Sequence, residues 1–300
     1  MDGIIPLWKE KGKTSHDCVI ALRRICQIKK VGHTGTLDPE VEGVLPICIN
    51  QATKIVPFLT DTKKTYLAEV TLGYSTETED FTGKTISEKQ VQELINDNNI
   101  KEILQKFVGT ITQTVPLYSA VKVNGMKLYE YARNNIPVDR PSRQVKIDSI
   151  DFIEDSIREE AGLFRFSFEV TCSKGTYIRT LCVDIGEALG YPAHMSALVR
   201  TETGGFSQTE SFTLAQIKEK QEENKLTDVL SPISRGIEHL PVYQVDSETA
   251  SRVLNGQKLP RPNDIPLDKP FRVQHQGDLL AIYQKHPENE YEIKPVRVFK

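Results

Sequence analysis

A single carboxylate stands inside the run Gly32-His33-Thr34-Gly35-Thr36-Leu37-Asp38-Pro39. Gly35 allows positive φ, and Pro39 drives Asp38 out of the helical region, so the run predicts a tight, extended loop. A carboxylate fixed in such a loop can serve as a nucleophile or as a general base. The same residues also suit an ordinary turn in which Asp38 accepts a hydrogen bond from its own backbone. Two look-alikes fall away. Gly12-Lys13-Thr14-Ser15 mimics the end of a phosphate-binding loop, but that motif needs glycine where Leu7 stands. Thr34-Gly35-Thr36 mimics the phosphorylated-aspartate ATPases, but there the aspartate precedes the run, and here it follows.

A second group that could do chemistry lies in Cys172-Ser173-Lys174-Gly175-Thr176-Tyr177-Ile178-Arg179. A helix read from about Thr176 buries Ile178, Leu181, Cys182, Ile185 and Leu189 and sets Arg179 in its first turn. The macrodipole disfavours a cation there, unless a carboxylate faces it, and Asp38 is a candidate partner. Around the turn Asn124-Gly125, the strands Val121-Lys122-Val123 and Met126-Lys127-Leu128 make a hairpin. Lys122 and Lys127 beside Tyr118, Tyr129 and Tyr131 suit RNA backbone and unstacked bases, or equally a solubilised hairpin with tyrosines packed beneath.

The elements that must position these groups are readable from periodicity. Residues 4–8 form an apolar strand, Thr14 and Asp17 a capping box, and Cys18, Val19, Leu22, Ile25 and Cys26 the buried stripe of the helix that follows. Val44–Ile49 reads as a buried strand. Residues 65–72 alternate, which by pattern alone places Tyr66 in the core with Ala68, Val70 and Leu72. Residues 74–84, acidic and rich in turn formers, read as a surface loop, and 88–107 as an amphipathic helix. Phe164, Phe166, Phe168 and Val170 mark a half-buried strand. The charged stretch 214–231 resembles a connector. Beyond about residue 240, short strands at 270–274, 279–284 and 291–299 between turns predict a small all-β domain.

The chain has 300 residues, 38% hydrophobic and 26% charged, with a net charge of −3, the composition of an ordinary soluble protein with room for a core. Cys18, Cys26, Cys48, Cys172 and Cys182 are odd in number and lack a Cys-x-x-Cys pair. That predicts reduced thiols used in packing, a cytoplasmic location, and neither a zinc site nor a disulfide framework. No apolar run spans a bilayer and no signal peptide is visible, so no membrane association is expected. The small net charge hides two basic stretches. Residues 9–33 hold seven Lys/Arg against two acids, and residues 118–146 hold six against two, which suits a phosphate-bearing partner or equally a solvated face.

Taken together and in order, Gly32–Pro39, Lys64-Thr65-Tyr66, Tyr118-Ser119-Ala120-Val121-Lys122 and the run 172–181 resemble the TruB family of bacterial tRNA pseudouridine synthases, collinearly from about residue 3 to 210. The resemblance implies an α+β catalytic fold over 1–235, with a central, largely antiparallel sheet and an RNA-contacting insertion at about 117–145. It implies a PUA-like RNA-binding domain over 240–300. It implies that the uridine at position 55, in the T-loop of tRNA, is isomerised to pseudouridine. In that reading Asp38 acts at the ribose, Tyr66 stacks on the base and assists removal of its C5 proton, and Arg179 pairs with Asp38. His33 would fill the space left by the flipped nucleotide, Leu198 would line the pocket, and Lys9 would lie near the site among the residues that bind the RNA substrate. Lys64, Lys122, Lys127, Arg133, Arg143, Lys174 and Tyr177 would contact RNA. The surroundings of Lys9 depart from the family pattern, which usually reads Asp-Lys-Pro where this chain has Trp8-Lys9-Glu10. Val199 precedes Arg200 where the family usually has a pair of arginines.

The chemistry is consistent with the residues. Isomerisation breaks a C–N bond, turns the base and forms a C–C bond without redox change, so no cofactor and no metal are expected. The target must leave its stack, at a cost of a few kcal/mol. A hydrolytic glycosidase would use two carboxylates, which are not evident. A catalytically silent RNA chaperone is the rival of a different class. The expected partner is the T-arm stem-loop of tRNA, with no obligate protein partner and a monomeric chain.

Overall fold

The computed structural model describes residues 1–92 and 95–299. Its strands in the first two thirds are β1 (Gly3–Lys9), β2 (Val31–His33), β3 (Glu42–Ile49), β4 (Lys64–Leu72), β5 (Tyr74–Thr76), β6 (Thr85–Glu88), β7 (Gly109–Thr114), β8 (Lys122–Val123), β9 (Met126–Lys127), β10 (Ser142–Phe152), β11 (Arg158–Glu160), β12 (Leu163–Cys172), β13 (Ala193–Thr203) and β14 (Phe206–Ser207). A ten-stranded sheet runs β1-β3-β13-β4-β12-β10-β7, with β2, β11 and β14 on its flanks. Neighbours are antiparallel except β3 and β13, which run parallel. The α+β reading with a largely antiparallel sheet therefore holds.

The register of this sheet builds the site. Tyr66 in β4 lies between Val170 of β12 and Arg200 of β13, and Leu198 faces Ala68. The parallel contact pairs Arg200 with Gly43. Gly43 has φ +133°, and a Cβ there would sit 2.3 Å from the Arg200 carbonyl oxygen, so only glycine permits the approach. Phe164, Phe166, Phe168 and Val170 are all buried, as their alternation requires.

Helix α1 (Ser15–Cys26) starts at the capping box of Thr14 and Asp17: the Asp17 amide donates to the Thr14 hydroxyl at 3.0 Å and the Thr14 amide to the Asp17 carboxylate at 2.9 Å. The short α2 (Val56–Thr60) leads into β4, and α4 (Leu128–Arg133) follows the β8–β9 hairpin. That hairpin turns through Asn124 and Gly125, both at positive φ, as the dipeptide predicts. Helix α5 (Ile178–Ala188) begins two residues later than the apolar stripe suggested, because its N-cap Tyr177 is gripped by Gln113 of β7. The Tyr177 amide donates to the Gln113 side-chain oxygen at 3.0 Å, and the Gln113 amide group donates to the Tyr177 carbonyl at 3.1 Å.

Three expectations need correction. The helix expected over 88–107 is α3 (Asp97–Gln105), started by a capping box at Asn96. Residues 93 and 94 of that stretch lie outside the described residues, and residues 85–88 form β6 instead. The loop 74–84 is not merely solvent-facing. Its turn is bound to β13, with the Met195 amide donating to Glu79 and the Phe81 amide to Met195. The stretch 214–231 is not a loose connector either. Helix α6 (Leu214–Glu222) buries Ile217 in the main core, and Phe212 and Ser231 exchange backbone hydrogen bonds with β1.

A second sheet, in the order β15 (Val242–Gln244), β17 (Phe271–His275), β18 (Asp278–Lys285), β19 (Glu292–Val298) and β16 (Leu259–Pro260), closes the chain around Phe271, Val273, Ala281, Tyr283 and Ile293. It carries one helix that the short strands did not announce, α7 (Ser247–Leu254), capped by Asp246. Ile282 and Phe299 share a buried cluster with Ile4, Val44 and Phe206, which ties this sheet to the edge of the larger one.

Candidate active site

The loop after β2 carries Asp38 and is fastened from behind by the N-terminal segment. The Leu37 amide donates to the Ser15 hydroxyl at 2.9 Å, and the Gly12 amide to the Pro39 carbonyl at 2.9 Å. Lys9, fully buried, donates to the carbonyls of Glu10 and Pro39 at 3.1 Å each and of Val41 at 2.6 Å. Burial lowers its pKa, against the opposing pull of Cys18, Glu40 and Asp38. Lys9 was expected to contact RNA; its ammonium is enclosed by protein and serves as a strut of the Asp38 loop.

On the front of the loop the Asp38 carboxylate is about half exposed and meets Arg179 Nε at 3.2 Å. Arg179 is buried, and its other donors are also engaged, with the Thr78 carbonyl at 3.0 Å and the Tyr118 carbonyl at 3.1 Å. Asp80 lies 3.8 Å from the guanidinium and is held in turn by Thr78 and Thr82. These acceptors explain how a cation is tolerated in the first turn of α5: two carboxylates and two carbonyls outweigh the dipole.

Tyr66 forms the wall beside this pair, buried, with the Arg200 guanidinium next to its hydroxyl. Burial raises the Tyr66 pKa and lowers that of Arg200, and each opposes the shift of the other. Arg200 also donates to the Val44 carbonyl at 2.8 Å and the Gly35 carbonyl at 3.3 Å, so it joins the Asp38 loop to the sheet.

Asp38, Tyr66, Leu198 and Arg179 line a cavity of about 760 Å³ together with Lys64, Arg133, Arg143, Lys174, Tyr177, Ser119 and Arg200. Lys64 points into the end of α2, donating to the Thr60 and Thr62 carbonyls, and burial pushes its pKa down to about 8. Arg143 stacks on the Tyr177 ring at 4.5 Å, and Lys174 pairs with Asp61 at 2.6 Å. Four expected residues do not line the cavity: Lys9, His33, Lys122 and Lys127. His33 ends β2, and its Nδ1 accepts from the Gly35 amide at 3.4 Å; burial, then the nearby Arg200 charge, lower its pKa. Lys122 is exposed on the hairpin, and Lys127 lies 5.3 Å from the Tyr129 ring centre. The hairpin and α4 reach the cavity through Tyr129 and Arg133 instead.

Asp80 and Gln113 were not singled out in the sequence, and nothing local to them could have done so; Ser119 stood there only as part of the Tyr118–Lys122 motif. Arg200 carried a signal: it shares strand parity with Leu198 at a buried position. The five cysteines are all buried and free. Among the described residues no group of His, Cys, Asp and Glu is placed to hold a metal, and no helix is long and apolar enough to cross a membrane.

Comparison with known proteins agrees with this architecture. The model of the TruB family pseudouridylate synthase N-terminal domain matches residues 23–178, and that of the tRNA pseudouridylate synthase B C-terminal domain matches residues 179–238. The chain belongs to the TruB family. It is 56% identical over 300 residues to a tRNA pseudouridine synthase B of Oceanobacillus iheyensis, covering 100% of this chain and 98% of the relative. A Listeria innocua protein of the same name is 52% identical over 302 residues, covering 100% of this chain and 99% of the relative. Among solved structures, a Cbf5–Nop10–Gar1 complex contains a chain that superposes with TM-score 0.76 at 28% identity, covering 99% of this chain and 84% of that one. An H/ACA ribonucleoprotein bound to a substrate RNA containing 2′-deoxyuridine gives TM-score 0.74 at 26% identity, covering 99% and 85%. As a TruB member the chain is a pseudouridine synthase, an isomerase.

Proposed function

We propose that this synthase converts the uridine at position 55, in the T-loop of tRNA, to pseudouridine, with Asp38 as the group that acts on the ribose. The single observation that carries the assignment is the ion pair of a half-exposed Asp38 with a buried Arg179, at a cavity walled by Tyr66 and Leu198. The names of the relatives, tRNA pseudouridine synthase B, support tRNA as substrate, and one structural neighbour was solved with a substrate RNA.

The target nucleotide leaves its stack and enters the cavity with its base against Tyr66. Asp38, aimed by Arg179, acts as nucleophile at the sugar or as base upon it while the N1–C1′ bond breaks. The base turns, C5 bonds to C1′, the C5 proton passes to solvent by way of Tyr66, and N1 gains a proton. Atoms balance without a cofactor. Tyr66 takes that proton as its phenolate, a form that the Arg200 guanidinium beside its oxygen favours and burial opposes. The five-stranded sheet over 240–300 is the RNA-binding unit of PUA type in this reading, the chain acts as a monomer, and the enzyme is cytoplasmic.

The test is a T-arm stem-loop tritiated at uridine C5, incubated with the protein alone. Tritium should appear in water with the strand intact, and Asp38→Asn should abolish release while RNA binding persists. Release of free uracil would indicate a hydrolytic glycosidase; binding and refolding of tRNA without tritium release would indicate a chaperone.

A further inference from the structure

The segment that joins β7 to β10, from Val115 to Pro141, is a small body of its own. Val115, Leu128 and Tyr131 form its buried centre, separate from the main core, and the Val115 amide donates to the Pro141 carbonyl at 2.9 Å across its neck. It brings Tyr129 and Arg133 to the cavity. So small a core leaves the place of the segment to its attachments, and these converge on the start of α5. Tyr177 packs against it, and near its entry the Tyr118 carbonyl accepts from Arg179 at 3.1 Å. Near its exit Arg140 donates to one oxygen of the Glu79 carboxylate at 3.2 Å, while the other oxygen accepts from the Thr180 hydroxyl at 2.6 Å.

Glu79 holds this position against two unfavourable terms. Its φ is +64°, in the left-handed region that a glutamate rarely adopts. The backbone is pinned there, with the Glu79 amide donating to the Thr76 carbonyl at 3.2 Å and the Met195 amide donating to the Glu79 carbonyl at 3.0 Å. Its charge also adds to the push that raises the Asp184 pKa, and Asp80, the next residue, is a third carboxylate nearby. A glycine would suit the backbone, and a neutral side chain the local charge. What an extended carboxylate adds is the bridge from Arg140 to Thr180. Backbone strain retained beside the Asp38–Arg179 pair points to function rather than to packing.

We propose that Glu79 is a positioning residue, a latch that fastens the exit of the 115–141 segment to α5, so that Tyr129 and Arg133 keep a set place relative to Arg179. Glu79, Thr180 and Arg140 do not line the cavity, so the latch acts through its neighbours and not by touching substrate. The Glu79 side chain is 14% exposed, which shelters the ion pair more than a surface pair and lets it hold the neck. The effect on turnover rests on the function proposed above, whereas the attachment itself does not.

The experiment uses Glu79→Gln, which keeps the length and an acceptor for Thr180 but removes the ion pair, and Arg140→Gln, which removes it from the other side. Wild type, both variants and the double are compared by amide hydrogen exchange of the free protein and by single-turnover tritium release at saturating stem-loop. Each single variant should exchange about fivefold faster within 115–141 and release tritium about tenfold more slowly, with the RNA dissociation constant within about twofold. The double should be no worse than either single, because both remove the same contact. Unchanged exchange in Glu79→Gln overturns the latch, as do additive losses in the double. Faster exchange over the whole chain with a lowered urea midpoint also overturns it, as general destabilisation. Faster exchange in the segment with normal release overturns the positioning role, and weakened binding at a normal rate in Arg140→Gln makes that residue an RNA contact instead. Wild-type release with unaltered variants removes only the latch. No wild-type release removes the proposed function, and exchange then still decides the attachment.

Discussion

Replacing Lys9 by methionine separates a strut from an RNA contact. Lys9 donates three hydrogen bonds, to Glu10, Pro39 and Val41, the last at 2.6 Å. Charge-assisted bonds contribute about 1.5–3 kcal/mol each, and against them stands the cost of burying an ammonium, which methionine does not carry. The balance for Lys9→Met is a loss of about 2–3 kcal/mol, since the stem is matched in volume but the carbonyls of Pro39 and Val41 lose their donor. Because burial holds the Lys9 pKa below its ordinary 10.5, the unfolded chain binds that proton more tightly. Stability contributed at this position therefore rises with pH as 10.5 is approached from below, and the variant should lack that slope. The loop flanking Asp38 is loosened, so single-turnover tritium release should fall about ten- to a hundredfold. The RNA dissociation constant should stay within about twofold, because the side chain has no exposed surface. Urea unfolding, filter binding and rapid quench measure the three quantities. An unchanged urea midpoint with weakened, less salt-sensitive binding would refute the strut and restore Lys9 as an RNA contact.

Three further perturbations follow from the same geometry. Asp80→Asn keeps oxygen and size but removes a charge 3.8 Å from Arg179, so the single-turnover rate should drop about tenfold at unaltered RNA affinity; a weakened affinity with normal rate would contradict its role behind Arg179. Asp184 has its pKa pushed up to about 6 by burial, then by Glu187 and Glu79, from an ordinary 3.8. The folded chain therefore binds the extra proton between those values, and stability falls as pH rises through that window. Asp184→Asn should flatten the profile and raise stability at about pH 8 by about 1 kcal/mol, allowing for its partial exposure; thermal unfolding across pH checks this. Gly43→Ala places a Cβ 2.3 Å from the Arg200 carbonyl at φ +133°, and should cost at least about 2 kcal/mol in urea unfolding, whereas a neutral substitution would mean that the parallel β3–β13 contact can part.

What the sequence made legible was what local rules govern. The Thr14–Asp17 capping box, the Asn124-Gly125 hairpin and the alternation of Phe164 to Val170 each state their own structure, and each formed. The proximity of Asp38 and Arg179 was raised by the awkwardness of a cation at a helix start, a local anomaly that needed a distant remedy. What remained illegible depended on pairing across the sheet. Lys9 looks like any basic residue until β1 is laid on β3 and its ammonium meets the Asp38 loop. The acidic turn 77–82 has the composition of a solvent loop, yet two backbone bonds to Met195 carry Asp80 to Arg179. Gln113 starts α5 from a strand more than sixty residues away in sequence, as the Gln113–Tyr177 separation of 64 shows.

Under the proposed function, the distribution of burial across the Asp38–Arg179 pair has a mechanistic consequence. Arg179 has a side chain 9% exposed while Asp38 is 47% exposed, so the cation is fixed by protein and the carboxylate projects toward the cavity. Were both buried, desolvation would consume much of the attraction and substrate would have to displace one of them. Were both exposed, the pair would contribute little and leave the carboxylate undirected. With the guanidinium anchored on Thr78, Tyr118 and Asp80, its orientation is set before RNA binds, and entry of the nucleotide need only strip water from Asp38. Arg200 repeats the device for Tyr66, from a fully enclosed position on the neighbouring strand. Helix α5 and strand β13 thus supply two preset cations, Arg179 beside Asp38 and Arg200 beside Tyr66.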